Sequence, residues 1–299
     1  MNDVREELAR LLPRPTERDL PSDRHRQLQE LLMNHMSTSD RPRRFTRRRL
    51  VFLATGLAMA VAVAAVAATR PEGASSGERI LLAAATTAER TPEGTGAYWH
   101  LKVVSSGDGT TWVSDLWTAR DGRTWNRYRT SETASATPGT EPGQVIELTP
   151  ANPYSLGGAK VTLEQLRALP TEPAALRTRI DELIAAADVR TSAGILTEDQ
   201  RKRAVFESLV SLVSQLPAPP AVRAAAFRAF ATYPNVESTG QGLLISFFPG
   251  EPPARLVIDP TTARVVRTNV IVLPDGGLMS AAEGAAFDLT AEWTDQPPR

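Results

Sequence analysis

His100 is the only histidine in the long C-terminal part of this 299-residue chain; His25 and His35 lie near the N-terminus. With three histidines so dispersed and no cysteine, the residues for a His/Cys metal centre are missing. No D-x-D-x-D-G calcium loop occurs, and Asp259-Pro260 and Asp275-Gly276-Gly277 are turn sequences. Gly73-Ala74-Ser75-Ser76-Gly77 has the spacing of a nucleophile elbow. That motif works between a strand and a helix, whereas here it sits in a linker behind a hydrophobic run. A Ser-His-Asp hydrolase would depend on His100, which alternation puts on the outward face of a strand beside Lys102. Glycoside chemistry needs two carboxylates paired in space, a pairing that sequence does not display. The expectation is a protein with no enzymatic activity, no cofactor and no metal.

The residues better suited to binding are aromatic. In Tyr98 to Ser105, Trp99, Leu101 and Val103 alternate with His100 and Lys102, the period of a half-buried strand. Trp112–Arg120 and Arg123–Thr130 flank Asp121-Gly122, which predicts a hairpin with a two-residue type I′ turn. That turn would set Thr118 opposite Trp125 and Trp117 opposite Asn126, with Tyr128 diagonal to Trp117 on one face. Such residues serve as core, the plainer reading, or as the wall of a ligand cleft. Trp99, Trp117, Trp125, Tyr128, Phe247 and Phe248 are the candidate cleft residues.

The elements that must position them follow from periodicity and caps. Arg79–Glu89 reads as a short apolar helix, and the Thr-, Pro- and Gly-rich stretch Thr133–Pro153 as a long loop. Thr162 with Gln165, and Thr197 with Gln200, are capping boxes. Thr171-Glu172-Pro173 opens a helix carrying Leu176, Ile180, Leu183 and Ile184, and Pro219-Pro220 opens another through Phe230. Strands are expected at Gly242–Phe248, Ala254–Ile258, Arg264–Leu273 and Ala285–Trp293. Strands, then helices, then strands predict an α+β domain with an antiparallel sheet.

Leu50–Thr69 (LVFLATGLAMAVAVAAVAAT) is a run of twenty residues without a charge, long enough as a helix to cross a hydrocarbon core. Arg43, Arg44, Arg47, Arg48 and Arg49 lie just before it. Under the positive-inside rule they hold the N-terminus in the cytoplasm and put the C-terminal domain outside a plasma membrane. Beside such a run, the arginines signal topology and not a nucleic-acid site. The expected organisation is a cytoplasmic helical tail over 1–49, a transmembrane helix over 50–69, a linker over 70–78 and an extracytoplasmic domain over 79–299. Small-x-small triplets at Ala62–Ala64 and Ala65–Ala67 leave a cleaved signal peptide as an alternative, and the alanine content leaves a soluble core helix as another. Gly56, Ala60, Ala64 and Ala68 repeat every fourth residue, the spacing through which membrane helices dimerise. The tail carries two short amphipathic stripes, fitting a cytoplasmic regulatory partner or a purely topogenic segment. Expected partners are the lipid bilayer, such a regulator, a hydrophobic envelope ligand and a second copy of the span.

Leu169–Leu176 (LPTEPAAL), Leu216–Ala226 (LPAPPAVRAAA) and Val257–Thr262 (VIDPTT) resemble an uncharacterised family of actinobacterial single-pass membrane proteins. In that family an arginine-flanked span precedes an exported domain opening with an aromatic strand like Ala97-Tyr98-Trp99-His100. The resemblance implies topology and no catalytic chemistry. At fold level the chain is similar to the half-barrel domains of lipoprotein carriers and sigma-regulatory periplasmic sensors, which implies a curved sheet wrapped around helices and a lipid. From this come two expected functions: an extracytoplasmic sensor signalling through its tail, or an envelope lipid carrier without signalling.

Overall fold

The Ser75 hydroxyl accepts the Glu78 N–H at 3.1 Å and thereby opens helix α1, Ser76–Arg90. The helix starts three residues ahead of the expected Arg79, so the end of the expected 70–78 linker is helical. Ser75, the serine of the elbow-like motif, is thus a helix cap. In this computed structural model the described residues are 75–107, 110–132, 144–148, 154–191, 194–247, 252–273 and 276–298. The tail, the run Leu50–Thr69 with its flanking arginines, and Phe248 lie outside them. Among the described residues no helix is long and apolar enough to cross a membrane.

The remaining helices are α2 (Leu163–Arg167), α3 (Pro173–Ala186), α4 (Glu198–Ser214) and α5 (Pro220–Ala231). The strands in chain order are β1 (Tyr98–Gly107), β2 (Thr110–Ala119), β3 (Thr124–Glu132), β4 (Val145–Leu148), β5 (Tyr154–Leu156), β6 (Ala159–Val161), β7 (Arg190–Thr191) and β8 (Gly194–Ile195). After the helices come β9 (Val236–Thr239), β10 (Gly242–Ile245), β11 (Ala254–Asp259), β12 (Arg264–Thr268), β13 (Val270–Val272), β14 (Leu278–Ser280) and β15 (Phe287–Thr294). Nine of them form one sheet in the order β4-β3-β2-β1-β15-β12-β11-β10-β9, antiparallel throughout. The protein is α+β with a large antiparallel sheet, as expected.

Alternation gives the sheet two unlike faces. Trp99, Leu101 and Val103 of β1 and Phe287, Leu289 and Ala291 of β15 share the core with the helices. His100 and Lys102 point the other way, across from Trp117 and Asp115 of β2. On the helical side α1 runs against α5, and α4 touches α3, α5, β5, β12 and β13. From Ala204 to Ser214 every residue of α4 is buried, so its serines must find internal partners. Ser208 donates to the Ala204 carbonyl at 2.7 Å and Ser214 to that of Val210 at 2.6 Å. Both capping boxes form, with Thr162 and Gln165, and Thr197 and Gln200, exchanging hydrogen bonds. Every residue of the core cluster lies between Leu81 and Ala291, and Ala67–Arg299 is a compact unit that carries its own core.

Three local expectations are corrected. The hairpin at Asp121-Gly122 has a three-residue loop: Gly122 N–H donates to Ala119 O, Ala119 N–H to Arg123 O, and Gly122 has φ 92°. This is a type I turn with a glycine bulge, and it shifts the register by one. Trp117 faces Trp125, Thr118 faces Thr124, and Tyr128 pairs with Ser114 on the opposite face from Trp117. The expected strand Arg264–Leu273 breaks at Asn269. Its side chain accepts from Arg255 N–H at 2.7 Å and donates to Pro253 O at 3.0 Å. β13 thereby leaves the large sheet and pairs with β14. Finally, the expected loop Thr133–Pro153 contains edge strand β4.

The turn between β5 and β6 uses Gly157 and Gly158 at φ 54° and 91°. A Cβ on Gly157 would stand 2.7 Å from Ile184 Cδ1 and 2.9 Å from Ala204 Cβ. Gly157→Ala combines left-handed backbone strain with overpacking and is expected to cost about 3 kcal/mol. Chemical denaturation measures this, and a loss below about 1 kcal/mol would contradict the close packing.

Candidate functional site

The helical face of β1–β3 is only partly covered. Between it, the end of α4 and the β13–β14 hairpin runs a groove of two adjoining lobes, about 280 Å³ and 420 Å³ in volume. Val103, Ser114, Ile271 and Leu273 border both. The outer lobe is completed by Trp112, Tyr128 and Met279. Trp112 lies 6.2 Å from Tyr128 and 5.7 Å from Phe287, forming an aromatic row across the strands. Tyr128 is 56 % exposed, and Ile146 and Leu148 on neighbouring β4 are exposed too. The inner lobe brings Trp99, Leu101 and Leu116 together with Thr118, Asn126, Tyr154, Ser155 and Ser211.

Gln215, the C-cap of α4, holds the hairpin in place. Its amide donates to Val272 O at 3.0 Å and accepts from Val272 N–H at 2.9 Å, while its backbone carbonyl takes the Trp99 indole N–H at 2.8 Å. Among the described residues, neither lobe is lined by an Asp, Glu, Lys, Arg or His. The Tyr154 hydroxyl is buried without a hydrogen-bond partner. Burial pushes its phenol up, only partly offset by the nearby Thr118 hydroxyl and by Arg120 and Arg167. Thr118 eases the shift but does not complete a hydrogen bond. The phenol therefore stays protonated.

A larger hollow of about 670 Å³ lies beside the first half of α4, lined by Arg203, Glu207, Arg255 and Glu283 among prolines and alanines. Its walls mix these charges with the apolar side chains of Phe206, Leu244, Ile245, Phe247 and Leu278. The charge-free groove is the better defined site.

On the other face of the sheet His100 is not the solvated strand residue that alternation implies. His100 Nε2 lies 2.9 Å from Asp115 Oδ1, and the imidazole stacks on Trp117 at 4.7 Å between centroids. Arg127 and Arg129 each approach Asp115 Oδ2 at 3.0 Å, and the Arg127 guanidinium lies 5.1 Å from the Trp117 ring centroid. Burial opposes ionisation of Asp115, but hydrogen bonds from His100 and Arg127 and the charge of Arg127 outweigh it, holding the carboxyl at about 2. A carboxylate so heavily committed is a structural anchor and not a base. Among the described residues no cluster of three His, Cys, Asp or Glu could hold a metal ion.

The six aromatic candidates therefore do not share one concavity. Trp99 lines the inner lobe and Tyr128 the outer. Trp117 and Trp125 lie on the opposite face, Trp125 against Tyr98 at 5.9 Å. Phe247 packs with Phe206 and Tyr233, and Phe248 lies outside the described residues. The groove residues that sequence reasoning missed are Trp112, Ser114, Leu116, Asn126, Tyr154, Ile271, Leu273 and Met279. The correct hairpin register alone would have placed Trp112, Ser114 and Leu116 with Tyr128.

Near Trp99 two arginines enter the core. Arg264 lies over its ring at 5.0 Å, while burial and the charge of Arg223 bring Arg264 down to about 10 against a weak pull from Glu292. Arg223 on α5 is 2 % exposed, its Nε has no hydrogen-bond partner among the described residues, and burial lowers it.

No protein-family model matches the chain, and neither does any curated protein or solved structure.

Proposed function

We propose that this chain is a membrane-anchored, extracytoplasmic sensing module whose sheet, curved as a half-barrel against α4, takes up an apolar envelope ligand. The observation that carries this reading is the groove, apolar at its mouth, lined by no charged side chain among the described residues and bordered by a hairpin that leaves the sheet. Its lobes are of the size that small ligands occupy, about 300–1,000 Å³. Support for the anchor comes from the uncharged run Leu50–Thr69 and the arginines before it. The tail over 1–49 is the route by which occupancy would reach a cytoplasmic partner.

The test is direct. Purified Ala67–Arg299 is expected to quench its tryptophan fluorescence on adding brominated acyl chains, and Trp112→Phe to remove most of that quenching. Ser114 borders both lobes, so Ser114→Trp fills them and is expected to weaken acyl-chain binding by about 100-fold or more, some 3 kcal/mol. Undiminished binding by Ser114→Trp would rule the groove out. Deleting residues 1–36 separates a sensor from a carrier: an unchanged set of cytoplasmic partners sinks the signalling part.

A further inference from the structure

The apolar surface of the groove does not stop at its outer lobe. Tyr128, 56 % exposed, belongs to that lobe. Ile146 on β4 is exposed to the same degree and pairs with Asn126, so it stands diagonal to Tyr128 on the groove side of the sheet. With half-buried Trp112 beside Tyr128, the three form a continuous apolar rim that ends on an edge strand.

Position along the strands adds a second constraint. The row of cross-strand partners through Trp112 and Phe287 continues over β12, β11 and β10 to Ser238 on β9. Two residues from Ser238, the Val236 carbonyl accepts the Ser75 hydroxyl at 3.4 Å, at the start of α1. The chain therefore enters the domain at the level of the outer lobe. The inner lobe reaches Trp99 and Thr118, at the opposite end of the β1–β2 pair. Six residues, 70–75, separate α1 from the uncharged run ending at Thr69, a reach of about 20 Å at full extension.

We propose that the rim of Trp112, Tyr128 and Ile146 docks on the extracytoplasmic surface of the bilayer, so that an acyl chain passes from the membrane into the groove without crossing water. This rests on the anchored, ligand-binding function proposed above. Trp and Tyr suit that surface because an apolar ring carries a polar tip that stays among the headgroups. Ile146 adds apolar area that dips below them. None of the three is charged, so attachment comes from burial of apolar surface and depends little on salt.

The experiment follows transfer of a fluorescent acyl probe from phosphatidylcholine vesicles to Ala67–Arg299, the compact unit. Docking predicts a rate that rises in proportion to vesicle concentration, because collision limits transfer; release through water gives a rate independent of it. Raising salt from about 0.1 M to about 1 M is expected to change the rate less than about twofold. Ile146→Glu is expected to slow transfer about tenfold, the loss of one apolar side chain from the interface. Ile146 stands outside both lobes, so this variant is expected to bind the probe in solution, and to melt, as the parent does. A rate independent of vesicle concentration, or parental transfer by Ile146→Glu, overturns the docking surface and leaves the groove standing. A dimer of Ala67–Arg299 that Ile146→Glu converts to monomer assigns the rim to a second copy and likewise overturns it. If the probe does not bind even in solution, the binding function fails and the inference with it.

Discussion

Asp115→Ala is expected to destabilise the folded domain by about 3 kcal/mol or more, because it strands cations that were gathered around a buried carboxylate. Asp115 is 2 % exposed; the side chains of His100, Arg127 and Arg129 surround it. The same carboxyl gives the domain an acid limb. Its pKa is lowered on folding from 3.8 to about 2, so its contribution is fully present above the unfolded value and lost as pH falls through the folded one. That contribution amounts to about 2 kcal/mol. Denaturant unfolding followed from pH 6 to pH 2 is expected to show this fall in the parent and a flatter profile in Asp115→Asn. Equal profiles would mean that the cluster does not hold the carboxylate as described.

Arg223→Met is expected to act in the opposite direction and raise stability by about 2 kcal/mol. Arg223 carries a charge into the core with an unsatisfied Nε, and among the described residues no carboxylate acts on it. Replacing a buried charge by an apolar side chain of similar length removes that desolvation cost while keeping the packing of the stem. Relieved of its neighbour, Arg264 keeps its place over Trp99 with less repulsion. Thermal and urea unfolding measure the change. A clear loss of stability in Arg223→Met would show that the guanidinium is neutralised by a counter-charge.

Much of the fold was legible because caps and periodicities are local. The capping boxes at Thr162 and Thr197, the proline-started helices at Pro173 and Pro220 and the alternation in Tyr98–Ser105 each depend on a few adjacent residues. The candidate site was less legible, and two particular positions explain why. Asp121-Gly122 suits a two-residue turn and also a three-residue turn with a glycine bulge, and a one-residue change of register reassigns side chains to opposite faces. The error moved Trp117 toward the groove and hid Trp112. Asn269 ends a strand through hydrogen bonds to Arg255 and Pro253, residues distant in sequence, so the run Arg264–Leu273 reads as continuous until the tertiary structure is known. Without that break the hairpin that walls the groove does not exist. Tyr154 begins a three-residue strand, too short for any period to reveal.

Strand β15 lies between β1 and β12, and it is the last of the described strands. The two halves of the sheet, β1–β4 and β9–β12, are therefore joined only by residues near the C-terminus. A polypeptide emerging N-terminus first cannot close its sheet until Phe287–Thr294 has appeared. Until then both flanking strands expose unpaired edges, and the long loop to be closed makes closure slow. The arrangement acts as a timer: assembly of the sheet waits for Phe287–Thr294, and removing that one strand removes the seam that joins the two halves.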